Sequence, residues 1–251
     1  IAEYWIAGGV DNTKGSIDAE VKIYGDRKPR LKGELQIRNL ETTIEYLNTR
    51  YTAESGTVKM NDEYFFDASG NTIKDRDGRV AYVTGGITHK WLKNLGLNAT
   101  INSPEFLVLN TTKEDSDLYY GTAIAGGEVK FTGNFNQTNI DIDAFSRSNS
   151  ELFIPLTEDR DASEISFIKL INKEDRKIVI DKKKNRDLRG VELNMNLSFN
   201  DAAQVSMIFD ERTRDIMRGR GNGDIQIFIS RSGNFTMYGN YDITEGEYLY
   251  T

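Results

Sequence analysis

Three glycines spaced two apart, Gly219, Gly221 and Gly223 in "RGRGNGDIQIFIS" (218–230), look most like equipment for chemistry. A glycine-rich loop can offer backbone N–H groups to a phosphate, but only between a strand and a helix whose first amides face the anion. Here the glycines run into "DIQIFIS", which alternates as a strand does. No Lys-Ser/Thr pair follows, and no distal acid is placed to bind a ribose. Glycines at period two fall on one face of an incoming strand, which suits a tight bend or a close backbone approach. The phosphate-loop reading fails.

The other reactive side chains are scattered. His89 is the single imidazole, beside Trp91, with nothing around it that marks a partnered base or nucleophile. It reads as a surface or capping residue. Two acid clusters, Glu114/Asp115/Asp117 and Glu158/Asp159/Asp161, lack the Gly-spaced order of a calcium loop and read as solvated turns. Lys182, Lys183 and Lys184 are flanked by acids and read as a solvated loop. With no Cys there is no thiolate nucleophile, zinc-thiolate site or disulfide, although this does not identify a compartment. No residue set points specifically to paired-carboxylate sugar hydrolysis. The sequence therefore predicts a protein that is not an enzyme, with no metal and no cofactor.

The elements that carry these residues are strands. "LKGELQIRNL", "GEVKFTGNF", "VELNMNLSF" and "GDIQIFI" each alternate apolar and polar residues, giving a greasy side and a wet side. Two segments interrupt the pattern: "THKWLKNLG" reads as one or two helical turns ending at Gly96, and "ASEISFIKLINKEDRK" is ambiguous. Hydrophobic residues make up 38% of the 251, with 28% charged, 22 Gly and 3 Pro, too little apolar material for a thick core but enough for a thin sheet. A net charge of −7 argues against nucleic acid and against an anionic bilayer surface. No window approaches the roughly 20 apolar residues of a spanning helix.

A short Gly-polar-apolar-x-apolar block recurs as GELQI (Gly33), GTVKM (Gly56), GRVAY (Gly78), GEVKF (Gly127), GDIQI (Gly223) and GEYLY (Gly246), with a degenerate SELFI at Ser150. Successive intervals of 23, 22, 49, 23, 73 and 23 residues suggest a decayed repeat the size of two strands and their turns. Stacked hairpins grow along one axis, so the expected fold is all-β with minimal helix. It would be one continuous elongated domain over 1–251, with fourteen or more strands and a span of roughly 65 Å or longer. A charged excursion occupies 157–190, and the chain reads as a fragment of something longer.

The apolar faces can close on a second sheet or line a groove; periodicity alone does not decide between these. The low apolar content favours the groove. Its expected lining is Leu35, Ile37, Val58, Met60, Val129, Phe131, Ile140, Ile142, Leu193, Met195, Leu197, Phe199, Ile225, Ile227, Ile229, Phe235 and Met237.

"LYYGTAIAGGEVKFTGNFNQTNIDIDAFSRSNSELFIPL" (118–156) and "GRGNGDIQIFISRSGNFTMYGNYDITEGEYLYT" (219–251) resemble the C-terminal portion of the TamB family, within the AsmA-like envelope proteins of bacteria with two membranes. The step into "GTAIAGGEVKFTG", the Ile154-Pro155-Leu156 ending and the closing "GNYDITEGEYLY" carry the likeness, which is weaker over 1–117 and absent in the charged excursion. The resemblance implies a taco-like sheet curled around a hydrophobic trough in the periplasm, with the full-length protein anchored in the inner membrane. It implies phospholipid movement towards the outer membrane, or alternatively β-augmentation and assembly of outer-membrane barrel proteins or autotransporters. The implied protein partner is a BamA- or TamA-like barrel whose contact segment lies beyond Thr251.

Overall fold

The structure, a computed structural model, describes residues 10–44, 47–115, 119–155, 190–210, 213, 215–232 and 234–249. The ambiguous segment "ASEISFIKLINKEDRK", all of the excursion 157–190 but Gly190, Asp117, the second acid cluster and the lysine run lie outside them. Among the described residues the fold is all-β: one mixed sheet of fourteen strands. The strands are β1 (Val10–Tyr24), β2 (Arg30–Ile44), β3 (Thr49–Met60), β4 (Tyr64–Asp67), β5 (Asn71–Asp75), β6 (Val80–Lys90) and β7 (Lys93–Thr111). They continue as β8 (Tyr120–Asn134), β9 (Gln137–Ser146), β10 (Ser150–Pro155), β11 (Val191–Phe199), β12 (Ala203–Asp210), β13 (Asp215–Ile229) and β14 (Phe235–Leu249).

Three pairs of these strands are single strands interrupted midway. β4 and β5 both pair β3 on one side and β6 on the other. β9 and β10 both pair β8, and β11 and β12 both pair β13. β11 runs parallel to β9 with partners 53 residues apart, and β12 runs parallel to β10 with the same offset of 53. The breaks at 147–149 and 200–202 therefore lie side by side. The fourteen strands occupy eleven ladder positions, a span of about 48 Å at the usual strand spacing and shorter than the sequence suggested.

All neighbours in the ladder are antiparallel except this junction. Parallel neighbours need a long connection, and 35 residues separate Pro155 of β10 from Val191 of β11. The polar face of the junction is stitched by side chains: Asn194 to Asp141 at 2.9 Å, Asn196 to Asp143 at 2.7 Å, and Gln204 to Glu151 at 2.9 Å. Arg231 adds bonds to Glu192 and to Asn139.

Two expectations change. "THKWLKNLG" is a hairpin: β6 and β7 pair from Tyr82 opposite Asn102 down to Lys90 opposite Lys93, and Trp91 and Leu92 make the two-residue turn. Leu92 and Leu95, three apart, imitate a helical face, but each falls in its own irregular position, the turn and a bulge. The recurring glycine block also marks one strand rather than two, since Gly33 and Gly56 lie on adjacent β2 and β3, and Gly223 and Gly246 on adjacent β13 and β14. Strands of about fifteen residues plus a turn fill the interval of 23.

Leu31, Val58 and Met60 are buried towards one end of the strands, and the larger part of the core gathers near the other, around Phe106, Leu107, Leu109, Ile124, Val205 and Ile208. There Tyr51 of β3 stacks on Phe106 of β7 at 4.9 Å, reaching past β5 and β6, and its hydroxyl donates to the Leu107 carbonyl. Asp75 anchors the same region. One carboxylate oxygen accepts from the amides of Asp77 and Arg79, the other from the Leu107 amide and the Arg79 guanidinium. Burial opposes the charge, but these four bonds outweigh it and hold the carboxyl below the ordinary aspartate range.

Two outcomes test this arrangement. Because the folded carboxyl is the stronger acid, its contribution is complete above about pH 4, the unfolded value, and is lost as pH falls through the lower folded value. Asp75→Asn should cost about 2–3 kcal/mol at neutral pH, because its amide nitrogen would face the Leu107 donor, and should flatten that acid limb in urea melts. At the parallel junction, Asn196→Asp sets two carboxylates together and should cost about 0.5–1 kcal/mol. Adding Asp143→Asn should restore the loss, read from the same melts.

Candidate functional site

Directly paired residues in adjacent strands share a face, so register can be followed across the sheet. One row runs Val83 (β6), Ile101 (β7), Val129 (β8), Ile142 (β9), Met195 (β11), Ile227 (β13), Met237 (β14). Two residues along lies Ala99, Phe131, Ile140, Leu193, Ile229, Phe235. On the other side lies Gly127, Ala144, Leu197, Ile225, Gly239. Every described side chain in these three rows that is larger than alanine is half-buried. The side chains of Phe235 and Met237 lie outside the described residues.

The opposite face carries its own row: Glu20, Glu34, Lys59, Asp67, Gly86, Asn98, Thr132, Asn139, Glu192. Because that polar row is continuous from β1 to β11, the apolar residues beside it lie together on the other side. Leu35 opposite Val58, and Ile37 opposite Gly56, belong to the same apolar face as the β8–β14 rows. Val58 and Met60 are buried, at 6% and 7% exposure, and belong with Leu31 to a smaller buried group at the opposite strand ends from Phe106 and Leu107, not to an open lining. Phe199 pairs Gly223 and meets Tyr241 edge-on at 6.0 Å.

Two stretches of the apolar face carry an alternation that the sequence reading passed over. In β1, Ile17, Val21 and Ile23 are 55%, 45% and 63% exposed and extend the face to the N-terminal edge of the ladder. In β7, Leu97, Ala99 and Ile101 fill the gap between β6 and β8. Both show period two in "GSIDAEVKIYG" and "GLNATIN".

A line of irregularities separates these rows from the core. β7 shifts register against β8 between Ser103 and Phe106, the strands formed by β9/β10 and β11/β12 break, and β13 shifts against β14 between Arg220 and Gly221. Bulges bend a sheet and strengthen its twist. The glycine triplet sits in β13 at this line. A Cβ on Gly221 or Gly223 would lie 2.1 Å from the carbonyl oxygen of Asp242 or Asn240, so these glycines permit close backbone approach, as the strand reading expects.

Two of the remaining candidates, His89 and Asp115, are among the described residues and have structural roles. His89 is buried, not on the surface. Its Nδ1 accepts from the Leu92 amide, which leaves Nε2–H to donate to the Asn61 carbonyl, so it caps the β6–β7 turn. The Asp115 carboxylate accepts from the Thr112 amide and hydroxyl, which holds it below the ordinary range and closes a turn. Among the described residues no group of three His, Cys, Asp or Glu could hold a metal, and no helix is long and apolar enough to cross a membrane.

No curated protein and no solved structure matches the chain. The family described as the TamB C-terminal domain matches residues 69–250, beginning well before the motifs quoted above and running through the charged excursion. The match covers more than two thirds of the chain and spans the strands that carry the three apolar rows. This chain belongs to the TamB family, which is associated with the cell envelope and works in its assembly or transport with outer-membrane partners.

Proposed function

We propose that this segment is a non-enzymatic conduit in the periplasm, holding phospholipid acyl chains against the apolar rows on their way to the outer membrane. The observation that supports it is the seven-strand row from Val83 to Met237, in register, backed by a polar face, with its described side chains, Val83 to Ile227, only half-buried. Contiguous apolar surface of this extent is unusual on a soluble protein and marks a contact site. Each acyl CH₂ exposed to water costs about 0.8 kcal/mol, so a sixteen-carbon tail costs roughly 12 kcal/mol. An apolar face that accompanies the tail removes most of that barrier without ATP. The full-length protein is anchored in the inner membrane and hands its cargo to a BamA- or TamA-like barrel. Leu35, Ile37, Phe199 and the residues of the three rows form the lining.

A photo-crosslinking residue at Met195 or Ile227 should label copurifying phospholipid, and one at Gln226 or Asn196, on the other face, should not. Equal labelling from both faces, or none from either, removes the reading. Mass spectrometry of the adduct identifies the lipid.

The second reading is β-augmentation of an outer-membrane barrel strand. It is favoured by β14, which ends the ladder among the described residues and leaves Ile243, Tyr248 and Leu249 exposed. Leu197→Arg separates the two, because a charge within the rows should stop lipid uptake and leave strand capture at β14 intact. A folded Leu197→Arg protein that takes up lipid normally eliminates the conduit.

A further inference from the structure

The tip of the β6–β7 hairpin breaks the rules of its own turn. Trp91 and Leu92 both adopt left-handed backbone angles, with φ of 54° and 60°. Two-residue hairpin turns with both φ positive select Asn-Gly or Asp-Gly, because larger side chains are strained there. Strain of this kind persists where surrounding structure imposes it, and it clusters at ligand sites. Here the turn is clamped from below: the Leu92 amide donates to His89, which is bonded to Asn61 and meets Phe65 edge-on. The result is a turn held by its neighbours with Trp91 47% exposed at its tip.

Two ammonium groups from different turns stand over that ring. Lys90 lies 5.2 Å from its centroid, and Lys28, on the β1–β2 turn, lies 5.0 Å away. Arg27, Arg30 and Lys93 are close in sequence to these positions, against Asp26, Asp62 and Glu63. Asp62 is already paired to Arg30. Five cations against three acids make this end locally positive in a chain of net charge −7. The same strand ends carry the β8–β9 and β13–β14 turns; beside Lys28 they hold the buried Leu31, Val58 and Met60, and from β7 to β13 they bound the half-buried rows, across the bulge line from Phe106 and Ile124.

We infer that Trp91, Lys28 and Lys90 form a rim contact for the phosphate of an anionic phospholipid headgroup whose tails lie on the apolar rows. This rests on the conduit reading. A tail on the rows leaves its headgroup at a strand end, in water. An indole is suited to that level, where hydrocarbon gives way to headgroup, and the ammonium groups supply the charge complement. A soluble anion would use the lysines and gain nothing from the ring.

The test is competitive uptake of short-chain fluorescent phosphatidylglycerol and phosphatidylethanolamine by the purified chain. Wild type should prefer phosphatidylglycerol. Lys28→Ala with Lys90→Ala should reduce that preference about fivefold per charge, as expected for ~1 kcal/mol per cation, because uptake of phosphatidylglycerol falls further than that of zwitterionic phosphatidylethanolamine. Trp91→Asn with Leu92→Gly, which suits the turn, should raise the melting temperature by about 2–4 °C and lower uptake of both lipids. A turn variant that melts higher and takes up both lipids as wild type does overturns the inference, as does a lysine variant that keeps the preference. Glycerol phosphate that competes as well as phosphatidylglycerol also overturns it, by making the tip a soluble-anion site. If wild type takes up neither lipid, the conduit reading itself has failed. If it takes up both equally, the conduit stands and the rim contact does not.

Discussion

Register is the constraint on which this structure depends. Side chains in a strand alternate with a period of two, so a slip of one residue in any pairing would turn every apolar residue beyond it to the wet face. Tight turns fix register between antiparallel neighbours. They cannot do so at the parallel junction, where the chain arrives after a long return. There the shared offset of 53 in both halves of the strand is held by short side-chain bonds, Asn194 to Asp141 and Asn196 to Asp143, on the polar side. Asn200 completes the stitch, donating its side-chain amide and its backbone amide to Ser146 at the break itself. The apolar row crosses the junction as Ile142 to Met195 with no change of face.

The second constraint is the line of bulges. Without it β8 would be one uniform strand from Tyr120 to Asn134; with it, Ile124 is buried and Val129 and Phe131 are half-exposed. β13 divides in the same way, with the glycines at the shift, Gly219 and Gly221, buried and Ile225, Ile227 and Ile229 beyond it half-buried. A single sheet thereby packs most of its core at one end of its strands, through Tyr51 on Phe106 and the Asp75 cluster, and leaves the apolar rows of β8 to β13 half-buried towards the other. This is how 38% hydrophobic residues suffice: the core needs only part of one face.

Much of this was legible in the sequence because alternation is local. "VELNMNLSF" and "GDIQIFI" state their faces without reference to anything distant, and the structure pairs them directly, Leu197 with Ile225. What was not legible depended on partners. The 23-residue interval cannot say whether it counts one strand or two until strand length is known. The parallel junction is invisible because no residue near Val191 specifies that it will lie beside Thr138 rather than β10. "THKWLKNLG" misled because a Trp-Leu turn carries none of the Gly or Asn that ordinarily announces a hairpin. The missed strands are different: Ile17, Val21 and Ile23 alternate plainly, but the intervening Asp18, Glu20 and Lys22 make the segment look like solvated loop.

That failure at Trp91 and Leu92 is itself informative. Where local preference and tertiary structure agree, as along β8 or β13, a residue's identity is accounted for by the fold. Where they disagree, something other than folding maintains the residue, or the surroundings compensate for it. The capping of Leu92 by buried His89 is such a compensation, since it spends the only imidazole of the chain on holding a turn whose own residues oppose it. The half-exposed rows are the same kind of discrepancy on a larger scale: apolar side chains in register on one face, short of full burial. Any hydrocarbon that covers them stabilises the folded sheet by mass action, so occupancy and stability are coupled through the same side chains.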